Sequence, residues 1–553
     1  MSSLQRPGPS PPTTTRRTRR RAEKHRGPGA TAFASPDGGA SWRPGVAADH
    51  DRYKWWALSC TSVGMLLATV NSGTLIIALP DLERSLHTSL LSLVWVILAY
   101  MIASTVLVLT AGRLSDLFGR KKAYVGGFVM FSLASLGAGF AADGTQLILW
   151  RILQGVGGAF LFANASALVT DAFPKRQLGL AMGTNTMVAA VGLVLGPVLG
   201  GALVAISWHW VFWFNVPLGI AGAVWGALVL HELAKRDTQR GLDLLGTTVF
   251  VVGLTGLVLG LSRGGISSWN DPIVIAGLVA AVILLPLFVV IERNGRAPML
   301  DLSIFRNRMF SAATAAAFLN GLSRFALMFL FVFYFQGPQG DDPITAGLKL
   351  TPLAAGMLVS SPLAGIWADR HGSRALAAAG MLVSAVGLGL MTTLQVHSPY
   401  WQSMLWLLIV GVGSGMFNSP NTAAMMGSVP ANRRGIAAGA RTMVQNTGAV
   451  ISIAFVLAII TAAVPKSVLF KIFSGLARGL SEHQLAPFIH NMHTALWVLG
   501  ATSIAGAVVS LLRPAHDRQP GAAAAADGLP ADLHQALPAS AAPSASPTVF
   551  REP

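Results

Sequence analysis

The chain has 553 residues, of which 53% are hydrophobic and only 11% are charged. A soluble protein of this length is about a quarter charged, so the composition excludes an ordinary soluble fold and indicates a membrane protein. The single cysteine, Cys60, excludes an internal disulfide and a cysteine-based metal cluster, and we expect no metal and no cofactor. The net charge of +17 is spread over the loops of a membrane chain, so we expect no nucleic-acid partner.

Fourteen apolar segments follow one another along the chain, each about as long as a helix that crosses a bilayer. Apolar residues lie on all sides of each segment, which does not fit a soluble amphipathic helix. The segments lie near residues 56–79, 90–110, 123–141, 147–169, 178–205, 209–231, 244–262, 272–291, 310–335, 346–367, 376–395, 401–425, 436–464 and 494–512. We therefore predict an all-α membrane protein with fourteen transmembrane helices. The alternative is twelve, with 244–262 and 272–291 forming a re-entrant pair.

The basic residues predict the orientation of the chain. Most of the 40 Lys and Arg residues lie in loops on the same side as both termini. Because basic loops stay in the cytoplasm, we expect cytoplasmic termini in a multi-pass protein of the cell (inner or plasma) membrane, with the lipid bilayer as its surrounding partner. On the outer side, residues 465–493 contain apolar residues at helical spacing, which predicts a short helix on the membrane surface.

An internal repeat divides the chain into two halves. Residues 155–192 align without a gap on residues 411–448, and residues 112–120 align on residues 365–373. Such parallel repeats are typical of transporters in which two rigid bundles rock about a central site. The predicted domains are a disordered basic cytoplasmic tail (1–54), an N-terminal six-helix bundle (55–231), a linker with two inserted helices (232–308), a C-terminal six-helix bundle (309–513) and a disordered cytoplasmic tail (514–553).

Three motifs resemble a known family. They are "GRLSDLFGRKK" (112–122), "RILQGVGGA" (151–159) and "GLVLGPVLGG" (192–201). From about residue 55 to 512 the chain resembles the major facilitator superfamily, and within it the fourteen-span branch of drug/proton antiporters. The resemblance implies a secondary active transporter that exports small amphiphilic molecules, such as drugs or antibiotics, by alternating access and proton antiport. We expect it to act as a monomer.

The first motif predicts a gating loop. Its residues, with one counterpart in the second half, are Gly112, Asp116, Gly119, Arg120, Lys121, Lys122 and Asp369. Gly112 and Gly119 are expected to set a tight turn. The resemblance implies that Asp116 and Arg120 form a charge cluster near the start of a helix of the second half, where protonation would release a latch. The alternative is a loop ion pair that only fixes the topology.

One departure from the family pattern affects proton coupling. The branch carries an Asp in its first span at the position of Asn71, and Asn cannot titrate. Asp116 is then the remaining matched titratable residue and the candidate for proton coupling, and His209 is a weaker second. Coupling through Asp116, displacement of protons by the substrate, and the absence of coupling all stay open.

Three arginines lie inside the predicted spans: Arg151, Arg324 and Arg441. No span core offers them a carboxylate, so we expect a hydrated cavity between the halves that favours neutral, zwitterionic or anionic amphiphiles. The predicted cavity residues are Asn71, Arg151, Gln154, Asn320, Arg324, Arg441, Gln445 and Asn446. The alternatives are that Arg151 extends to the outer interface and that Arg324 packs between helices and binds backbone carbonyls.

Glycines at every fourth position of the fifth span predict close helix packing. The predicted sliding interface comprises Gly192, Gly196, Pro197, Gly200 and Gly201.

Other classes of protein fit the sequence less well. The spans contain no His-Glu-x-x-His motif and no pair of carboxylates, so we expect no catalytic residues, and the nucleotide-binding Gly-x-x-x-x-Gly-Lys-Ser/Thr motif is absent. Two alternatives remain open. They are an uncoupled or differently coupled carrier of an anionic or neutral metabolite, and a membrane sensor that keeps the fold without transport.

Overall fold

The part of the chain that the structure describes is helical and contains no strand. The structure is a computed structural model, and it describes residues 50–173, 178–232, 243–266, 268–295, 298, 300, 302–429, 434–462, 464–473 and 480–514. Nearly all of the two predicted tails lies outside these residues. The first helix begins at His50, a few residues before the predicted start of the first bundle at residue 55.

The described residues of the first half form seven helices. They are α1 (His50–Leu86), α2 (Leu90–Phe118), α3 (Arg120–Ala138), α4 (Gly144–Ala172), α5 (Leu178–Ile206), α6 (Trp210–Trp213) and α7 (Asn215–Val229). The short α6 and the longer α7 together occupy the sixth predicted span. We call the side on which α1 begins the terminal side, and the other the opposite side.

Two inserted helices and the second half follow. The inserted helices are α8 (Leu244–Ile266) and α9 (Pro272–Asn294), and a short 3-10 helix lies at Leu302–Arg306. The helices of the second half are α10 (Arg308–Gln336), α11 (Pro343–Lys349), α12 (Thr351–His371), α13 (Ser373–Met391), α14 (Tyr400–Gly427), α15 (Arg434–Thr461), α16 (Lys466–Phe473) and α17 (Glu482–Leu511). α17 ends on the terminal side.

Polar side chains at the helix starts explain where several helices begin. The side chains of Asp143, Asp271 and Asn307 each accept a hydrogen bond from a backbone N–H in the first turn of α4, α9 and α10. Ser481 and Gln484 form a reciprocal pair of such bonds at the start of α17. These caps satisfy N–H groups that have no partner inside the helix.

Each of the fourteen predicted spans overlaps helical residues in the described part of the chain, although 209–231 covers α6 and α7, and 346–367 covers the end of α11 and most of α12. Eleven helical stretches are long and apolar enough to cross a membrane. α3 and α14 are not among them, and α5 is represented only by its apolar part, Leu195–Ile206. The membrane fold is therefore confirmed, whereas the count of fourteen stays a prediction. α8 and α9 are continuous helices of 23 residues each, so the structure does not support a re-entrant pair.

The helices repeat along the chain as the sequence alignment predicts. The offset that aligns 155–192 on 411–448 also carries the start of α4 onto the start of α14, and the start of α5 onto that of α15. The offset that aligns 112–120 on 365–373 carries the start of α3 onto the start of α13. The turns before α3 and α13 are both made by a glycine with positive φ, Gly119 at 106° and Gly372 at 88°. Glycine adopts such φ values without strain, so the two turns are the same structural device used twice.

The two halves contact each other closely near the opposite side. A Cβ atom built on Gly201 of α5 would lie 2.6 Å from the Cα of Ile344 in α11. A Cβ built on Gly347 of α11 would clash with the carbonyl oxygen of Pro197 in α5. The side chain of Gln336, at the end of α10, donates to the backbone carbonyl of Ile77 in α1 over 3.3 Å. These contacts hold the halves together on that side.

The inserted helices pack against both halves through α8. On the terminal side, the Thr247 hydroxyl lies 3.1 Å from the Thr110 hydroxyl of α2. Near the opposite side, a Cβ built on Gly265 would lie 2.7 Å from the Cα of Ala458 in α15 and would clash with the hydroxyl of Thr461. α9 packs on α8 and is largely exposed along its apolar length. α8 therefore crosses the seam between α2 and α15.

The short helix predicted on the outer membrane surface is α16, but its apolar face is turned to the protein. Val468, Leu469 and Ile472 are buried. α16 packs on α1, α10 and α17, and Ile472 lies against Gly337 at the end of α10. The apolar spacing was a correct sign of a helix, but burial against the bundle satisfies that spacing as well as lipid does.

Candidate functional site

A buried polar network in the first half is centred on the amide oxygen of Asn71. This oxygen accepts hydrogen bonds from Arg151 Nη1 at 3.4 Å, Gln154 Nε2 at 3.2 Å and Asn215 Nδ2 at 3.2 Å. Gln154 also donates to Ser135 Oγ at 2.6 Å. All five side chains are buried. The network therefore joins α1, α3, α4 and α7, and it brings together three predicted cavity residues, Asn71, Arg151 and Gln154.

Arg151 is held by this network and by two neighbouring residues of α2. Its Nε donates to the backbone carbonyl of Val96 at 2.9 Å, its Nη1 donates to Gln154, and its guanidinium lies 4.4 Å from the ring centre of Tyr100. Only 1% of the residue is exposed. The side chain thus stays in the core and does not extend to the outer interface. Carbonyl and amide oxygens and an aromatic face stabilise a cation without a carboxylate.

Two atoms at the centre of the network have no hydrogen-bond partner among the described residues. They are the amide nitrogen of Asn71 and the amide oxygen of Asn215, and both are buried. A buried polar atom without a partner costs free energy, so such a site accommodates a water molecule or a polar group of a ligand. In chemical terms the network carries a fixed positive charge and no group that titrates near neutral pH.

In the second half, Arg324 lies in α10 with far weaker partners. Its Nη1 contacts the thioether sulfur of Met357 at 3.6 Å, and its guanidinium lies 4.5 Å from the ring centre of Phe325. The Nε atom is buried and has no partner in the described part of the chain. One turn earlier, Asn320 donates to the sulfur of Met381 at 3.4 Å, and its amide oxygen is likewise buried and unpaired. Asn320 and Arg324 lie on one face of α10.

The remaining predicted cavity residues lie in α15. Arg441, Gln445 and Asn446 are half-buried, and the buried Nε of Arg441 has no partner among the described residues. The backbone carbonyl of Gln445 lies against Gly321 of α10, where an added Cβ would clash with it. Their role as cavity residues stays a prediction. A groove of about 450 Å³ lies between the terminal-side parts of α10 and α15 and is lined by Phe305, Ser311, Thr314, Ala315, Phe318, Leu319 and Val444.

The predicted gating loop forms a charge cluster within the first half. Arg120 pairs with Asp116 at 3.0 Å and with Asp171 of α4 at 2.7 Å. Burial lowers the pKa of Arg120, but Asp171 and Asp116 outweigh this effect, so the pKa of Arg120 is raised. The ion pairs that the structure describes for Arg120 go to the same half, whereas the resemblance placed the cluster near a helix start of the second half. Residues 430–433, before α15, lie outside the described residues.

A carboxylate that follows α7 caps the start of α3. Glu232 accepts from the backbone N–H of Arg120 at 2.9 Å and from that of Lys121 at 3.1 Å. The Lys121 ammonium donates to the Ala227 carbonyl at 2.8 Å, and Lys122 is exposed. A carboxylate at a helix start is stabilised by the free N–H groups and by the helix dipole. The gating loop is thereby tied to α4 and to α7 of its own half.

The two glycines of the predicted gating loop have different places in the structure. Gly119 makes the turn, but Gly112 lies inside α2, where an added Cβ would meet only Ala163 at an ordinary 3.8 Å. The expectation that Gly112 sets the turn was therefore wrong. Asp369, the counterpart in the second half, lies in α12, and its side chain falls outside the described residues.

The predicted sliding interface divides into two faces of α5. Gly192, Gly196 and Gly200 pack on α1. An added Cβ would clash with Thr69 at the first of these positions and would lie 2.8 and 2.7 Å from the Cα atoms of Gly73 and Thr74 at the other two. Gly201 and the backbone carbonyl of Pro197 instead face α11 of the second half, while the Pro197 ring lies against Gly73 of α1. The first face joins helices within one half, whereas the second belongs to the contact between the halves.

Several polar residues of these sites were not predicted. They are Tyr100, Ser135, Asp171, Asn215 and Glu232. Arg513, just after α17, lies outside these sites. It is buried, binds Asn421 and Ser510, and has two buried nitrogens without a described partner. Burial lowers the pKa of Arg513 to about 10. The signal that could have pointed to Asn215 is an Asn at the start of an apolar span, where polar residues are rare.

Comparison with known proteins agrees with this architecture. The family model described as Major Facilitator Superfamily matches residues 61–241 and 313–551. The gap between these segments contains α8 and α9. A solved bacterial homologue of the human lysosomal transporter Spinster, in an inward-facing and unoccupied conformation, superposes with a TM-score of 0.58 at 14% identity, covering 83% of this chain and 96% of that chain. At this identity the likeness concerns the fold alone.

Curated relatives cover most of the chain. The tetracenomycin C resistance and export protein of Streptomyces glaucescens is 30% identical over 71% of this chain and 73% of its own length. The multidrug resistance protein Stp of Mycobacterium tuberculosis (strain CDC 1551 / Oshkosh) is 30% identical over 74% of this chain and 77% of its own. The riboflavin transporter RibZ of Clostridioides difficile is 28% identical over 73% and 88%.

The family match and the transporters among the relatives, together with the repeated helical bundles and the apolar spans, identify a multi-pass membrane transporter rather than an enzyme. The chain belongs to the Major Facilitator Superfamily. Its fold is the fold of that family, and its similarity is to the multidrug efflux type of transporter.

Proposed function

We propose that the chain is a secondary active transporter that exports small amphiphilic molecules across the cell membrane by alternating access. The observation that carries the proposal is the close contact between the halves on the opposite side, where α5 meets α11 and Gln336 binds Ile77. Two repeated bundles that meet in this way can rock about their contact, and this is the movement that alternating access requires. Two relatives, a tetracenomycin C resistance and export protein and a multidrug resistance protein, support the direction of transport.

The proposed orientation places both termini in the cytoplasm, so that the terminal side is the inner side. The basic residues of the gating loop, Arg120, Lys121 and Lys122, lie on that side, as basic loops do in the cytoplasm. The transporter acts as a monomer surrounded by lipid and needs no bound cofactor. Its partners are its small-molecule substrate and the protons that drive export.

Proton coupling is assigned to Asp116 because the network around Asn71 holds no carboxylate among the residues described. Asp116 pairs with Arg120, and its side chain is 34% exposed, so a proton can reach it. Protonation would remove one of the two carboxylates that hold Arg120. The second, Asp171, would still hold Arg120 on α4, while the link between α2 and α3 through Asp116 would be lost.

The test is transport by the purified full chain in liposomes, with an imposed pH gradient and a panel of fluorescent amphiphiles. We expect uphill transport that stops when an ionophore collapses the gradient. Asp116→Asn should abolish the dependence on the gradient, whereas Asp171→Asn, which removes the other carboxylate of Arg120, should retain it. Transport that continues uphill without any gradient would reject proton antiport, and the absence of transport for every compound would reject the exporter.

An uncoupled or differently coupled carrier of an anionic or neutral metabolite is a second candidate. Asn71 in place of the family Asp favours it, because an amide cannot bind and release a proton. The relative named as a riboflavin transporter shows that a metabolite is carried within the same group of proteins. Asn71→Asp discriminates between the two candidates: in an uncoupled carrier this change should introduce a dependence on the pH gradient that the wild-type chain lacks.

A further inference from the structure

We propose that Arg324 is the receptor for an acidic group of the transported molecule, so that the substrate class is amphiphiles that carry a carboxylate or a similar oxyanion. This inference rests on the proposed transport function and specifies its substrate. Three features support it: the place of Arg324 in the repeat, the composition of the second half around it, and its unsatisfied nitrogen.

Arg324 occupies the position in the second half that Asn71 occupies in the first. The offset that aligns 112–120 on 365–373, and the start of α3 on that of α13, also places Asn71 on Arg324. Helix packing gives an independent check. Gly192 of α5 lies against Thr69 of α1, and its repeat counterpart, Gly448 of α15, lies against Leu322 of α10. The same offset places Thr69 on Leu322, so the two helix pairs pack in equivalent register.

The first half surrounds its buried arginine with polar groups, but the second half does not. The two offsets of the repeat place Tyr100, Arg151 and Gln154 on three apolar residues of the second half. These counterparts are Leu353, Leu407 and Val410, and all three are buried. Ser135 falls on the buried Leu388 in the same way. The polar side chains of Tyr100, Gln154 and Ser135 in the network around Arg151 therefore have no polar counterpart at these positions of the second half.

The contacts of Arg324 agree with this difference. It is 9% exposed, and its described contacts are a thioether sulfur and a phenyl ring, both weak partners for a guanidinium. Its buried Nε has no partner among the described residues, and the unpaired amide oxygen of Asn320 lies one turn away on the same face. A guanidinium edge binds a carboxylate through two parallel hydrogen bonds. An anion bound there would neutralise a charge that the protein itself leaves uncompensated.

Arg151 is less suited to the same purpose in this structure, because its Nε and Nη1 already bind Val96, Asn71 and Gln154. The two buried arginines therefore divide their roles. Arg151 is a positioning residue for the polar network, and Arg324 is the residue that contacts the ligand. The same chemistry could come from a small inorganic anion, such as chloride, and the experiment separates the two sources.

The test measures binding of 2-naphthoate and of its neutral analogue 2-naphthamide to the purified full chain in detergent. The two probes have nearly the same shape and differ in charge. We expect naphthoate to bind roughly ten- to a hundredfold more tightly, as charge-assisted hydrogen bonds imply. Arg324→Gln should reduce this ratio to about one, and Arg324→Lys should retain part of it. Excess chloride should leave the naphthoate affinity unchanged.

Arg513→Gln is the matched control, because Arg513 is also buried and also has an unpaired Nε among the described residues, yet it lies beyond the end of α17. It should keep the full ratio. A second variant, Arg324→Met, distinguishes loss of binding from misfolding. Its apolar side chain has a similar length and removes an uncompensated charge, so the melting temperature should rise. The preference for naphthoate should nevertheless be lost.

Three results would overturn the proposal: an unchanged ratio in both Arg324→Gln and Arg324→Met, an equal loss in Arg513→Gln, or full competition by chloride, which would indicate a site for an inorganic anion. Because binding is measured without transport, the inference and the proposed function can fail separately.

Discussion

At the scale of single residues, the amide oxygen of Asn71 organises a buried polar site that holds an arginine without a carboxylate. Its oxygen accepts from an arginine, a glutamine and an asparagine at once. A carboxylate oxygen often accepts several hydrogen bonds in this way. Here the acceptor of all three is the oxygen of an amide. An amide does not take up a proton, so the network binds its arginine without a titratable acid.

This arrangement predicts that Asn71 stabilises the fold. Asn71→Leu should leave three buried donors with one acceptor fewer and lower the stability by about 3 kcal/mol. Asn164→Leu is the matched control, because Asn164 is equally buried but makes one described hydrogen bond, to the carbonyl of Phe160. The thermal unfolding of both variants in detergent measures the difference. Equal melting temperatures for the two variants would contradict this account of the network.

At the scale of helices, the sequence predicts the elements well and their partners poorly. The fourteen apolar segments could be predicted because the length of an apolar run is a local signal. The repeat could be predicted because its two copies align directly in the sequence. Asp171 and Glu232 could not be assigned to the gating loop, because they lie 51 and 112 residues from Arg120 and leave no pattern in the chain. For the same reason, the stripe on α5 predicted close packing but not which of its glycines face α1 and which face α11.

The two faces of α5 give a prediction about helix packing. Gly196→Ala would place a methyl group 2.8 Å from the Cα of Gly73, and because backbone atoms yield little, the stability should fall by about 1–3 kcal/mol. Gly126→Ala, where nothing lies within 4 Å of the added Cβ, should be neutral or slightly stabilising. Melting temperatures and the amount of folded protein in the membrane provide the measurement.

Gly112 differs from Gly196 because an added methyl group would have room there. It nevertheless belongs to the motif that identifies the gating loop. Gly112→Ala should fold normally, since the added Cβ would meet a neighbour only at 3.8 Å. A folded Gly112→Ala variant without transport would show that this glycine matters for movement rather than for packing in the conformation described.

At the scale of the whole molecule, the proposed orientation assigns each loop to one side of the membrane. Lys122 lies at the terminal side, and Trp269, in the turn between α8 and α9, lies at the opposite side, and both are exposed. With the buried Cys60 replaced by Ser, a cysteine at position 122 should react with a membrane-impermeant thiol reagent only after the cells are opened. A cysteine at position 269 should react in intact cells. The reverse pattern would invert the topology.

The diagonal course of α8 has a mechanical consequence. It contacts α2 of one half near the terminal side and α15 of the other half near the opposite side. If the halves tilt relative to each other, these two attachment points cannot both keep their distances unless α8 itself leans or slips past a neighbour. The inserted helices would then act as a diagonal brace that limits the amplitude of the tilt, so shortening or loosening them should alter turnover while leaving ligand affinity unchanged.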